Sequence, residues 1–214
     1  MSNPEKGSSV VLDACVLVPI ALCDAFLRLA EEPSLCRPLW SEEVLTELRR
    51  ALVKKPLQLP PCKADYRIAC MKAAFPEALV AGYQSLIPTV RIPAAHDKHA
   101  VATAIHAGAG AICTANTRHF PRRAIAPYGV VVLTPDESLL RALRRNTVWV
   151  MDKLRDQARS RGLDLTRLMA ILGKAAPEFA QRVQTLRRPS HWVEGQDAAL
   201  RREMPAPRPP ACPA

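Results

Sequence analysis

Apolar positions along the chain alternate between two periods, one suited to strands and one to helices. Val10-Val11-Leu12 is a β-branched run ending at Asp13 and predicts a short buried strand. Residues 20–32 carry helical spacing and stop before Pro33, while 36–40 is too short to assign. Ser41-Glu42-Glu43 opens a helix, with Ser41 as N-cap and two acids in the first turn. In that helix Val44, Leu45, Leu48, Ala51 and Leu52 form one apolar stripe. Pro56, Pro60 and Pro61 interrupt the pattern, and residues 63–75 and 77–86 predict two further helices separated by Pro76.

From residue 97 the rhythm tightens. Residues 97–107 predict a helix with Val101, Ala104 and Ile105 on one face, stopped by Gly108. Residues 111–114 and 130–133 predict strands, with a connector and a short helix between them. Strand, helix and strand in this order indicate an α/β fold with a parallel sheet covered by helices on both faces. After Asp136 the strand signals end. Residues 137–145, 148–160, 165–173 and 177–187 all carry helical patterns. The expected organisation is an α/β domain over 9–135, a helical C-terminal extension over 136–189, and a Pro-rich, disordered tail over 190–214.

Composition narrows the class. Hydrophobic residues make up 49% of the 214 positions and charged residues 23%, a globular profile. The most apolar stretch, 10–23, is broken by Asp13 and Pro19. It is therefore expected to be neither a membrane span nor a signal peptide. The seven cysteines are scattered and form no C-x-x-C pair, which predicts a reduced, cytoplasmic protein. Thirty basic residues against twenty acidic ones give a net charge of +10, densest over 136–189. Such a balance suits a polyanionic partner such as nucleic acid, and also serves solubility.

Ligands of open parallel sheets bind beyond the carboxyl ends of the strands. Asp13 stands there, as does Asn116, two residues past the 111–114 strand. A turn or cap role is open to Asp13. Glu47 lies at the flank of the 41–52 stripe, either solvated or reaching a cleft, with Glu43 as its nearest rival. Asp97 falls inside the apolar stripe of its own helix, so it must cap, pair or bind something. There is no Gly-rich phosphate loop, no D-x-D pair at Asp13 and no G-x-S-x-G nucleophile. His96 and His99 are three apart without a third ligand at zinc-like spacing, so a zinc site is not expected.

Four segments together carry a family resemblance: Val10-Val-Leu-Asp13-Ala-Cys-Val-Leu, Trp40-Ser-Glu-Glu-Val-Leu-Thr-Glu47-Leu-Arg-Arg, Asp97-Lys-His-Ala-Val-Ala-Thr-Ala-Ile, and Ala111-Ile-Cys-Thr-Ala-Asn116-Thr-Arg-His119-Phe-Pro. Their order and spacing resemble PIN-domain ribonucleases, above all VapC-type toxins with a helical C-terminal extension. The resemblance implies a three-layer α/β/α sandwich with 9–135 as the nuclease domain. It implies an endoribonuclease dependent on Mg²⁺ or Mn²⁺, a small antitoxin partner and a homodimer. Asp13 and Asp97 match the metal-binding aspartates and Glu47 the helix glutamate, while Asn116 stands where many PIN domains have a fourth acid. His96 and His119 each replace a residue that is often acidic in this branch. The implied reaction is in-line attack of a metal-activated water on an RNA phosphodiester, leaving a 5′-phosphate. Lys98, Arg118, Arg122 and Arg123 are candidates for holding RNA phosphates. The residues themselves do not separate RNA from DNA, and a catalytically silent module that binds RNA or protein is the competing reading.

Overall fold

The computed structural model describes residues 9–32 and 34–186. The tail expected over 190–214 lies outside the described residues. The chain runs through β1 (Ser9–Leu12), α1 (Ala14–Leu17), α2 (Ile20–Ala30), β2 (Arg37–Leu39), α3 (Glu42–Val53), α4 (Pro61–Ala74), α5 (Lys98–His106), β3 (Ala111–Cys113), α6 (Arg122–Ile125) and β4 (Val131–Leu133). Four helices follow: α7 (Pro135–Arg145), α8 (Thr147–Ser160), α9 (Leu165–Leu172) and α10 (Pro177–Leu186). The sheet has the order β2-β1-β3-β4, and every pairing is parallel.

The sheet separates two apolar clusters because alternate side chains of a strand point to opposite faces. Val11, Leu39 and Ile112 face α5, where Val101, Ala102 and Ala104 are fully buried, and share that cluster with Tyr83, Phe120 and Ile125. Val10, Leu12, Ala111, Cys113 and Leu133 face the other way, onto α1, α2 and α3. The same cluster continues without a break through Leu139, Val150, Leu154, Leu168 and Phe179 of the C-terminal helices. The fold is therefore an α/β sandwich with helices on both faces, whose extension packs into one of the two cores. Among the described residues, no helix is long and apolar enough to cross a membrane.

Local chemistry explains most boundaries. The Ser41 hydroxyl accepts from the Val44 N–H and starts α3. Pro61 opens α4 rather than breaking it, since a first-turn proline lacks only an N–H that has no partner in the helix. In the same way Pro135 opens α7 inside a capping box of Thr134 and Glu137, two residues earlier than expected.

One expected helix does not form. Instead of a helix over 77–86, the chain leaves the turn Pro76–Ala78 and pairs Leu79 with Trp40 in a parallel bridge. The backbone of Trp40 donates to Ala78 and accepts from Val80, both at 2.9 Å. Gly82 at φ +84° then turns the chain away. Sheet-edge pairing and a left-handed residue outweigh the helical propensity there. Conversely, the short α1 directly after Asp13 carries no periodicity long enough to be read.

Candidate active site

The parallel register sets the first part of the site. Leu12 pairs with Cys113, so Asp13 and Thr114 leave β1 and β3 side by side at the carboxyl edge of the sheet. The Asp13 N–H donates to the Cys113 carbonyl, and the Thr114 N–H donates to that of Leu133. Asp13 heads α1 but does not cap it with its side chain. Its Oδ2 instead accepts from Thr114 Oγ1 at 2.5 Å and from Cys15 Sγ at 3.0 Å. Asp13 is 7% exposed and Thr114 fully buried, so the carboxylate is anchored in place. Burial, then the charge of Asp13, pushes the Cys15 thiol up to about 12, which keeps its proton available for that bond. The Asn116 N–H donates to Thr114 Oγ1, linking the loop after β3 to the same network.

Asp97 precedes α5, in the N-cap position, yet makes no side-chain cap bond. Its Oδ2 lies 2.8 Å from His119 Nδ1 and 3.2 Å from His96 Nε2. The first approach is close but poorly aimed: Asp97 Oδ2 and His119 Nδ1 are both buried and neither has a properly directed hydrogen bond. Burial raises the carboxyl above the usual aspartate range and the charge of Asp13 adds to this, while His96 and His119 oppose it. Asp97 and Asp13 thus share one electrostatic environment.

Glu47 is half-buried on α3, immediately before the fully buried Leu48. Its Oε1 lies 3.1 Å from Nε2 of the buried His99, in the first turn of α5. Burial works against the charged form of His99. The hydrogen bond and charge of Glu47, with the charges of Glu43 and Asp97, outweigh it and raise the ring. Glu43 turns inward as well, its Oε2 buried without a partner.

The expected site residues therefore fall along one sheet edge but not into one ligand set. Among the described residues, one group of at least three His, Cys, Asp and Glu side chains has ligand atoms within 4.8 Å of each other: His96, Asp97 and His119. Asp13 is held by Thr114 and Cys15, and Glu47 by His99. Asn116, Arg118, Arg122 and Arg123 are exposed, and Lys98 is half-exposed beside Asp97. Zinc-like spacing misses the histidine group because His96 and His119 lie on opposite sides of β3 in sequence.

Over 112 residues the chain is 31% identical to the protein named "Putative ribonuclease VapC50" of Mycobacterium tuberculosis. The match covers 51% of this chain and 66% of the relative's own length. No protein-family model matches the chain, and no solved structure does.

Proposed function

We propose that the chain is an endoribonuclease of the VapC type that works with Mg²⁺ or Mn²⁺ and serves as the toxin of a toxin–antitoxin pair. The observation that carries this reading is the anchoring of Asp13 by Thr114 at the carboxyl edge of the sheet, within the electrostatic reach of Asp97. The similarity to a protein named as a ribonuclease supports it. Two partly buried carboxylates within electrostatic reach of each other, one with a raised pKa, suit a hard divalent cation. Asp13 and Asp97 would hold it, with Glu47 reaching it through a water, and it would supply charge neutralisation at the phosphodiester and acidity to that water.

The chain's own residues do the rest. Asp13 is fixed by two donors and keeps its position during turnover. Glu47 takes the proton of the attacking water, and His99 holds the Glu47 carboxylate at 3.1 Å. Asn116, exposed at the mouth, donates to a phosphate oxygen. Arg118, Arg122, Arg123 and Lys98 carry the flanking phosphates. In-line attack by water on phosphorus breaks the bond to the 3′-oxygen, which takes up a proton from solvent, and yields a 5′-phosphate and a 3′-hydroxyl. A cognate antitoxin would block this edge, and the active unit would be a homodimer.

A second reading, binding of RNA without cleavage, is favoured by one observation: Glu47 and Asp97 each face a histidine ring. One experiment separates the two. Purified chain is incubated with RNA in Mg²⁺, in Mn²⁺ and in chelator, and the new ends are sequenced. Cleavage in metal only, with 5′-phosphate ends and none from Asp13→Asn, is expected. Retention of intact RNA in every condition would leave the binding module.

A further inference from the structure

His96, Asp97 and His119 present two imidazole nitrogens and one carboxylate oxygen to a common point. We propose that these three side chains form a mixed nitrogen–oxygen cation site that selects a borderline transition-metal ion such as Co²⁺, Ni²⁺ or Zn²⁺ over Mg²⁺. The proposal deepens the nuclease reading in sharing Asp97 with it, but it makes its own claim about which ion this chain holds.

The geometry comes first. Asp97 Oδ2 is 2.8 Å from His119 Nδ1 and 3.2 Å from His96 Nε2, and all three ligand atoms lie within 4.8 Å of each other. Ligands at about 2.1 Å from one metal stand roughly 3.0–3.4 Å apart at octahedral or tetrahedral angles. The observed separations bracket the lower end of that range. A ring N–H pointed at the carboxylate would account for the His119 distance without a metal, but the direction is wrong for that bond. Asp97 Oδ2 and His119 Nδ1 are both sealed from solvent with no hydrogen-bond partner. A carboxylate oxygen and a ring nitrogen buried this close without a directed hydrogen bond are each short of a partner.

Other features hold the arrangement in place. The rings of His96 and His119 meet edge to face, with centroids 5.3 Å apart at 82°, so each limits the rotation of the other. Asp97 leaves its helix N-terminus uncapped, so its carboxylate is not committed to the backbone. His96 and Asp97 come from the turn before α5, and His119 ends the turn Thr117–His119 after β3. Two segments distant in sequence thus bring the ligands together. His96 is 70% exposed and His119 26%, which leaves one side open to an entering ion or a substrate oxygen.

Donor chemistry decides the ion. Mg²⁺ takes oxygen ligands and keeps its waters, whereas imidazole suits the later first-row divalent ions. With two nitrogens and one oxygen the selectivity turns away from Mg²⁺.

The test uses the full chain without a polyhistidine tag, stripped with chelator, and reads binding rather than activity. Co²⁺ is titrated by visible absorption, and Co²⁺, Ni²⁺ and Mg²⁺ by calorimetry. One Co²⁺ per chain is expected, bound at least roughly tenfold more tightly than Mg²⁺. His96→Ala and His119→Ala should each weaken Co²⁺ by at least the 10–100-fold or so typical of losing an indirect support of a metal site. The pair His96→Asp with His119→Asp, an all-oxygen set, should narrow the preference for Co²⁺ over Mg²⁺. His96 is mostly exposed, so its replacement leaves folding intact, and circular dichroism checks each variant. Co²⁺ affinity unchanged in both alanine variants, or equal affinity for Co²⁺ and Mg²⁺ in the native chain, overturns the proposal. Histidine-dependent Co²⁺ binding without cleavage of RNA in any metal would keep this site and reject the nuclease reading. Cleavage in Mg²⁺ with histidine-independent Co²⁺ binding would do the reverse.

Discussion

Thr114 Oγ1 donates to Asp13 Oδ2 at 2.5 Å, across the junction where β1 and β3 end in register. The hydroxyl is fully buried and also receives the Asn116 N–H, so one side chain couples the acid at the end of β1 to the loop after β3. A carboxylate this enclosed depends on its donors.

Thr114→Val is therefore expected to cost about 1–3 kcal/mol of stability, the usual penalty for leaving a buried polar partner unsatisfied. Cleavage should fall because Asp13 then keeps only the Cys15 thiol as a side-chain donor. Thr114→Ser, which keeps the hydroxyl, should recover most of both. Urea unfolding together with a fluorescent RNA cleavage assay measures the pair of effects. A Val variant as stable and active as the native chain would show that Asp13 does not need Thr114 to hold its position.

Asp13→Asn and Asp97→Asn are each expected to abolish cleavage while the fold remains. Neither carboxylate caps its helix with its side chain, so the amide loses charge without removing a structural bond of that kind. Residues that act as a unit are not additive, and the double variant should be no worse than either single one. Single-turnover cleavage with circular dichroism as control tests this. Residual rates that multiply in the double variant would mean independent roles.

The sequence makes some of this readable and hides the rest for definite reasons. Asp97 stands out because an acid inside an apolar stripe must be satisfied, and Ser41 because its hydroxyl begins α3. The strand that ends at Asp13 follows from its β-branched run. Residues 77–86 mislead, because the bridge from Leu79 to Trp40 depends on a sheet edge built from distant residues. His99 is invisible as the partner of Glu47, since the contact joins α3 to α5. The convergence of His96 and His119 is equally non-local. Their signal was chemical rather than periodic: both replace residues that are often acidic in the family the chain resembles.

Stability should depend on pH through His99. Its ring faces Glu47 and Glu43 from α3 and feels Asp97 from the start of α5, and its pKa is raised. A histidine whose folded pKa is raised contributes stability that is fully present below its unfolded value, about 6.5, and lost as pH rises through the folded value. Asp97, also raised, runs in the same direction but from the lower aspartate range upward. Melting temperatures in chelator should therefore fall as pH climbs from about 6.5. His99→Gln should flatten the curve in that window and leave the acid-range decline. An unchanged slope in the variant would assign the titration to another group.

The C-terminal helices are expected to unfold together with the sheet. Phe179 of α10 is fully buried in the cluster that contains Val10, Leu12 and Phe26, and α8 sends the buried Gln157 Nε2 to the Ala21 carbonyl at 2.7 Å. Asp136 at the start of α7 accepts the backbone N–H groups of Glu178 and Phe179, closing the first turn of α10 from another helix. A boundary at residue 135 separates strands from helices in sequence, yet it would cut through one apolar core. Phe179→Ala should then cost about 3–5 kcal/mol and lower the single transition of the entire chain. A fragment ending at residue 135 should expose the face of α2 that packs on α8 and α9 and fail to melt cooperatively. Calorimetry of the chain, the Phe179 variant and the fragment distinguishes the cases. Two separate transitions in the native chain, with only the smaller one shifted by Phe179→Ala, would show that the extension is an independent unit resting on the α/β sandwich.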